Sequence, residues 1–159
     1  MTIKFSAFAA KQLLGHSVAG DKSLRILCGA SATYYIDLII CQGSVPLYPE
    51  SPVSSSDVLA TFTDIKWAAS SSVTGYTAYL AKHADVWTCS SVAVTGIATY
   101  FRIFDGAADN GYQDDLTDKA RSRIQGTVGE DTTYDLVVAD AYYVAATSRT
   151  IDNFRIYLF

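Results

Sequence analysis

The sequence predicts a mainly β protein: an antiparallel β-sandwich of jelly-roll-like form, or a barrel, with one short N-terminal helix. Three features predict it. The C-terminal half alternates side chains with the period of two that marks strands. Short β-rich runs recur between turn signals, and one early segment shows the wider spacing of a helix. At 159 residues the chain fits a single domain, 1–159, large enough to bury a core without disulfides or metal.

Residues 5–14 are the helix candidate, within an N-terminal segment taken as 1–16. Phe5, Phe8 and Leu13 lie on one apolar stripe, and Gly15 offers a C-terminal stop. From Leu24 onward the texture is that of strands: Leu24 to Cys28, Tyr34 to Gln42, Val58 to Phe62 and Val73 to Leu80. Residues 44–57 hold Pro46, Pro49 and Pro52 and the run Ser54-Ser55-Ser56. Because proline removes ladder donors, this stretch reads as a long ordered loop. Val73-Thr74-Gly75-Tyr76-Thr77-Ala78-Tyr79-Leu80 resembles Val94-Thr95-Gly96-Ile97-Ala98-Thr99-Tyr100-Phe101, and both are read as single strands with similar entries. Further on, Tyr100, Arg102 and Phe104 point one way and Phe101 and Ile103 the other. Ile124 to Val128 and Tyr134 to Ala139 follow, and Phe154, Ile156 and Leu158 close the alternation.

Composition narrows the function classes. The net charge is −4 and no Lys/Arg cluster occurs, so the chain lacks the basic footprint of a nucleic-acid binder. Cys28, Cys41 and Cys89 are widely spaced, with no CxxC pair, and read as buried free thiols of a protein folded in a reducing cytoplasm. The start Met1-Thr2-Ile3-Lys4-Phe5 lacks the features of a secretory leader, and no apolar run is long enough to span a bilayer. The 11 tyrosines suit either strands or half-wet contact surfaces.

Two stretches carry a family likeness. Leu38-Ile39-Ile40-Cys41-Gln42-Gly43-Ser44-Val45-Pro46 is followed by Ser55-Ser56-Asp57-Val58-Leu59-Ala60-Thr61-Phe62. Later come Gly96-Ile97-Ala98-Thr99-Tyr100-Phe101-Arg102-Ile103-Phe104-Asp105, Arg123-Ile124-Gln125-Gly126-Thr127-Val128-Gly129, Asp135-Leu136 and Phe154-Arg155-Ile156-Tyr157-Leu158. In collinear order these resemble a group of small tailed-bacteriophage virion structural proteins, over residues 36–64 and 86–159. The resemblance implies a capsid decoration or cement-like protein, assembled into the virion in the bacterial cytoplasm. Its implied partners are the major capsid protein and copies of itself, as a trimer or dimer, with no nucleic acid and no membrane.

Reactive constellations are sparse. His16 and His83 are the only histidines, and no nucleophile elbow, P-loop or dinucleotide fingerprint occurs. The acidic stretch from Asp105 to Asp118 offers oxygen ligands on a glycine-containing loop, but without the spacing of a calcium loop it reads as a solvated turn. The expectation is therefore no enzyme, no catalytic residue, no cofactor and no metal. Candidate contacts are Phe5 and Phe8 on the helix, Leu47 and Tyr48 in the proline loop, and the Tyr142-Tyr143 pair; each also suits ordinary core. The alternative is a tail-fibre or baseplate β-sandwich module that binds a host receptor or glycan, with Trp67 and Trp87 as stacking platforms.

Overall fold

A computed structural model describes residues 4–5, 36–49, 51–66, 72–74, 77–82, 85–105 and 123–157. Among these the protein is mainly β, with antiparallel sheets and a single 3-10 turn at Ser55–Asp57. The strands are β1 (Lys4–Phe5), β2 (Ile36–Cys41), β3 (Val58–Phe62), β4 (Ser72–Thr74), β5 (Thr77–Ala81), β6 (Trp87–Cys89) and β7 (Gly96–Ile97). They continue with β8 (Tyr100–Asp105), β9 (Arg123–Gly129), β10 (Leu136–Val137), β11 (Tyr142–Tyr143), β12 (Arg149–Ile151) and β13 (Arg155–Tyr157).

The central sheet runs β1-β9-β8-β2-β3, all antiparallel. β10 adds to β9 in parallel, on the edge that β1 uses further along. The sequence explains why β2, β8 and β9 occupy the middle. β2 reads Ile-Asp-Leu-Ile-Ile-Cys, and almost every position of β2 and β9 is buried, as a strand covered on both faces requires. On one face Leu38, Ile40, Phe101, Ile103, Ile124 and Val128 form the main core with Trp87, Tyr143, Ile151 and Phe154. Phe154 meets Phe101 edge-on at 5.1 Å and Trp87 edge-on at 6.1 Å, the geometry that ring quadrupoles favour. On the other face Ile39, Cys41, Tyr100 and Phe104 pack under Val45, Val53 and Val58.

Smaller antiparallel ribbons complete the body: β7–β11, β6–β12 and β4–β5–β13. The register of β2 on β3 shifts between Ile40 and Cys41, a bulge that turns the fully buried Leu59 into the main core.

Several expectations need correction. Lys4–Phe5 is a strand paired to Ile124 and Gln125, so the helix expected to begin at Phe5 does not begin there. Phe8 and the rest of 6–16, like Leu24 to Cys28, lie outside the described residues. Val73 to Leu80 is no single strand but the two strands of a hairpin, β4 and β5, with Thr74 opposite Thr77. Its apparent repeat differs, because β7 leaves to pair with β11 while β8 enters the central sheet. Of Tyr134 to Ala139 only Leu136–Val137 is strand.

Candidate interaction surface

The β7–β11 ribbon places Tyr142 directly opposite Ile97 and Tyr143 opposite Gly96. Adjacent strand residues face opposite sides, so the ribbon buries Ala141 and Tyr143 and exposes Tyr142 and Val144. Ile97 is 61% exposed and Tyr142 51%, which leaves an outward apolar stripe of Ile97, Tyr142 and Val144. Tyr143, expected beside Tyr142 as a contact residue, is instead core at 2% exposure.

This stripe has a rigid support. Asp140 accepts from the Tyr142 amide at 2.8 Å, and Arg149 donates to Asp140 at 3.1 Å and to the Tyr142 carbonyl. The Arg149 guanidinium also lies 4.8 Å from the centre of the Tyr143 ring. The Tyr142 amide, and secondarily Arg149, hold the Asp140 carboxyl below its ordinary range, while burial raises the Tyr143 phenol. Beyond this staple a groove of about 430 Å³ opens, lined in part by Asp140, Tyr143, Arg149, Asp152 and Asn153.

The proline loop forms a second exposed apolar site. Gln42 N–H donates to the Asp57 carbonyl at 2.9 Å and closes the loop base, next to Gly43 at a φ of +88°. Val45 and Val53 pack on the sheet. At the tip, Leu47 and Tyr48 are 69% and 62% exposed. Because Tyr143 packs on one face of the central sheet and the loop on the other, the two apolar sites belong to opposite sides of it.

Arg102 is the residue that sequence reasoning missed. Alternation with Tyr100 and Phe104 places it on the loop-covered face, where it is fully buried. It donates to the Ser51 carbonyl at 2.7 Å and to Gln125 Oε1 at 2.8 Å, and Gln125 Nε2 donates to the Pro46 carbonyl at 2.7 Å. A loop rich in proline opposite an alternating strand was the available signal, since carbonyls without local donors need partners from elsewhere.

Asp135, Gly96, Gly129 and Tyr100 also have structural duties. Asp135 accepts from both the amide and the hydroxyl of Thr127 at 2.9 Å, joining β9 to the approach of β10. A Cβ on Gly96 would stand 2.0 Å from Gln42 Oε1, and one on Gly129 would stand 2.2 Å from the Tyr134 ring. Burial, and the Cys41 thiol hydrogen-bonded beside it, raise the Tyr100 phenol.

Among the described residues, no three His, Cys, Asp or Glu side chains gather as a metal-binding group would require. His16, His83, Trp67 and residues 106–118 lie outside the described residues. Trp87 is buried against Phe154 and presents no platform for a sugar ring. Phe5 lies in β1. Cys41 and Cys89 are buried cysteines outside any disulfide. No helix among the described residues is long and apolar enough to cross a membrane. No protein-family model matches the chain, and neither a curated protein nor a solved structure is similar to it.

Proposed function

We propose that the chain is a structural component of a tailed-phage particle, a capsid decoration or cement protein that stabilises the head by adhering across capsid subunits. The observation that carries this reading is the Ile97–Tyr142 pair: two large apolar side chains, opposite each other and both more than half exposed, on a stapled ribbon. Burying such a stripe against a partner is favourable at roughly 25 cal/mol per Å² of apolar area, and the tyrosine hydroxyl still finds a polar partner at the rim. A stable contact needs on the order of 1,000 Å², more than the stripe alone supplies, so self-association as a dimer or trimer and repeated copies on the capsid both add to the hold. The body is read as a jelly-roll-like sandwich, a reading supported by the central sheet's covered faces. The collinear motifs of the β8–β9 region and of the Asp135-Leu136 pair support the phage assignment.

Co-sedimentation with empty heads of the encoding phage tests the proposal. The wild-type chain pellets with heads, and the double variant Ile97→Asp/Tyr142→Asp stays in the supernatant while melting as the wild type does. Equal pelleting of both proteins would remove the ribbon from the account.

One observation favours a second reading, a tail-fibre or baseplate module that binds a glycan. The groove beside Arg149 presents Asp140, Asp152 and Asn153, side chains suited to sugar hydroxyls. Binding to host surface polysaccharide, abolished by Asn153→Ala and indifferent to the Ile97/Tyr142 variant, would favour this reading over the first.

A further inference from the structure

The proline loop is tied to the central sheet through its carbonyls. Thr99 Oγ1 donates to the Gly43 carbonyl and Gln125 Nε2 to that of Pro46, both at 2.7 Å. Arg102 donates to the Ser51 carbonyl at 2.7 Å, and Gln42 Nε2 to that of Ser56 at 3.2 Å. Side chains supply these donors, and Pro46, Pro49 and Pro52 bring no amide hydrogen for a ladder. Each such bond is exchanged for one to water when it breaks, so its net hold is small. Arg102 is fully buried, and its guanidinium regains water when the loop lifts, which offsets part of the loss. The apolar share of the hold is one small cluster, Val45, Val53 and Val58 packed on Ile39, Cys41, Tyr100 and Phe104. Among the described residues, the main core includes none between Gly43 and Asp57. At one end Gly43 supplies a pivot: its φ is +88°, and no heavy atom lies within 4 Å of where a Cβ would stand.

From this division we propose that the segment between Gly43 and Asp57 is a releasable strap. It lifts as one unit while the sheets and the main core stay folded, and so uncovers Ile39, Cys41, Tyr100 and Phe104 as a second apolar face. Release breaks the carbonyl ties, the Gln42 amide bond to Asp57 and one small apolar cluster. Unfolding the sheets breaks their ladders and the larger core as well. A segment held by so little opens at a free energy well below that of global unfolding. Arg102 distinguishes the strap from ordinary core, since an apolar side chain there would be buried without a desolvation cost and would hold the face shut more firmly. Cys41 reports the event, because its side chain is fully buried and belongs to the cluster on which the strap packs. Release is a property of the fold and needs no partner.

The test uses the full wild-type chain and N-ethylmaleimide, with labelling of Cys41 read by peptide mass spectrometry at urea concentrations below the unfolding transition. Strap release exposes little surface, so the labelling rate is nearly independent of urea there and exceeds the rate that global unfolding supplies. A variant gives the second measurement. Thr99→Val removes the donor to Gly43, while the residue 99 amide still serves the Cys41 carbonyl. It raises Cys41 labelling and amide exchange at Gln42 by one common factor, about three- to tenfold, and leaves exchange at Ile40 and Phe101 unchanged. Wild-type labelling that carries the full urea dependence of global unfolding would overturn the strap. Labelling as fast as in the unfolded chain would overturn it too, because the strap then never closes. Faster exchange at Ile40 and Phe101 alongside Cys41 would assign the exposure to fraying of the sheet, and a Thr99→Val protein that labels at the wild-type rate would remove the carbonyl ties from the account.

Discussion

The ring of Phe101 lies against the backbone of Gly126 so closely that a Cβ there would stand 2.6 Å from ring carbon Cε1. The two residues are register partners on β8 and β9, and Phe101 is fully buried with Phe154 against it. The glycine is thus a packing requirement of the main core: its missing side chain is the space that the ring fills.

Gly126→Ala therefore overpacks the sheet. The expected cost is about 1–3 kcal/mol, read as a fall of roughly 2–4 °C in Tm per kcal/mol for a chain of this size. An unchanged melting curve would show that the ring moves aside freely.

Phe154 bridges Phe101 and Trp87, and so couples the central sheet to the β6–β12 ribbon. Phe154→Ala opens a cavity at that junction and is expected to cost about 3–5 kcal/mol, measured by urea denaturation. A cost below about 1 kcal/mol would mean that the ribbon collapses onto the space without penalty.

Ala146 adopts a φ of +63° and is pinned by its amide, which donates to the Val92 carbonyl at 2.9 Å. An L-residue pays roughly 1–2 kcal/mol in that region, and glycine pays part of this back as chain entropy. Ala146→Gly is expected to stabilise the protein by about 0.5–1 kcal/mol. Destabilisation by glycine would refute this assignment of strain.

Burial raises the Asp37 carboxyl, with the Asp64 amide at 3.2 Å partly offsetting it. A carboxyl raised in the folded state binds its proton more tightly there than in the unfolded chain. Its contribution to stability therefore grows as pH falls through the folded-state value towards 3.8. Asp37→Asn keeps an acceptor for Asp64 and removes the buried charge. The variant should melt above the wild type at neutral pH, with the gap closing as the solution becomes acidic. A gap constant across that range would contradict the buried-charge explanation.

The strands 36–41, 58–62 and 100–105 were legible in the sequence because short runs rich in aliphatic and aromatic residues lie there, and in 100–105 they also alternate with the period of a strand. Burial of β2 and β9 on both faces was less so, since it depends on a loop that folds back from elsewhere. Arg102 illustrates the difficulty: locally, an arginine between two aromatics reads as a solvent-facing position, and only the arrival of Pro46 and Ser51 above it makes it core. The spacing of Phe5 to Phe8 is that of a helix, yet the partner of Phe5 is Ile124, too distant for any local pattern to reveal. The Tyr142-Tyr143 pair is a different case. Consecutive strand residues cannot share a face, so the opposite fates of these two tyrosines follow from the period of two once a strand is assigned there.

On the proposed reading, this β body acts by adhering to the particle of the phage that encodes it. Quantitative mass spectrometry of purified, genome-filled particles tests it most directly. The account predicts the chain at a fixed ratio to the major capsid protein, retained after washing in high salt because the contacts are apolar. Particles that are complete and infectious without it would contradict the account.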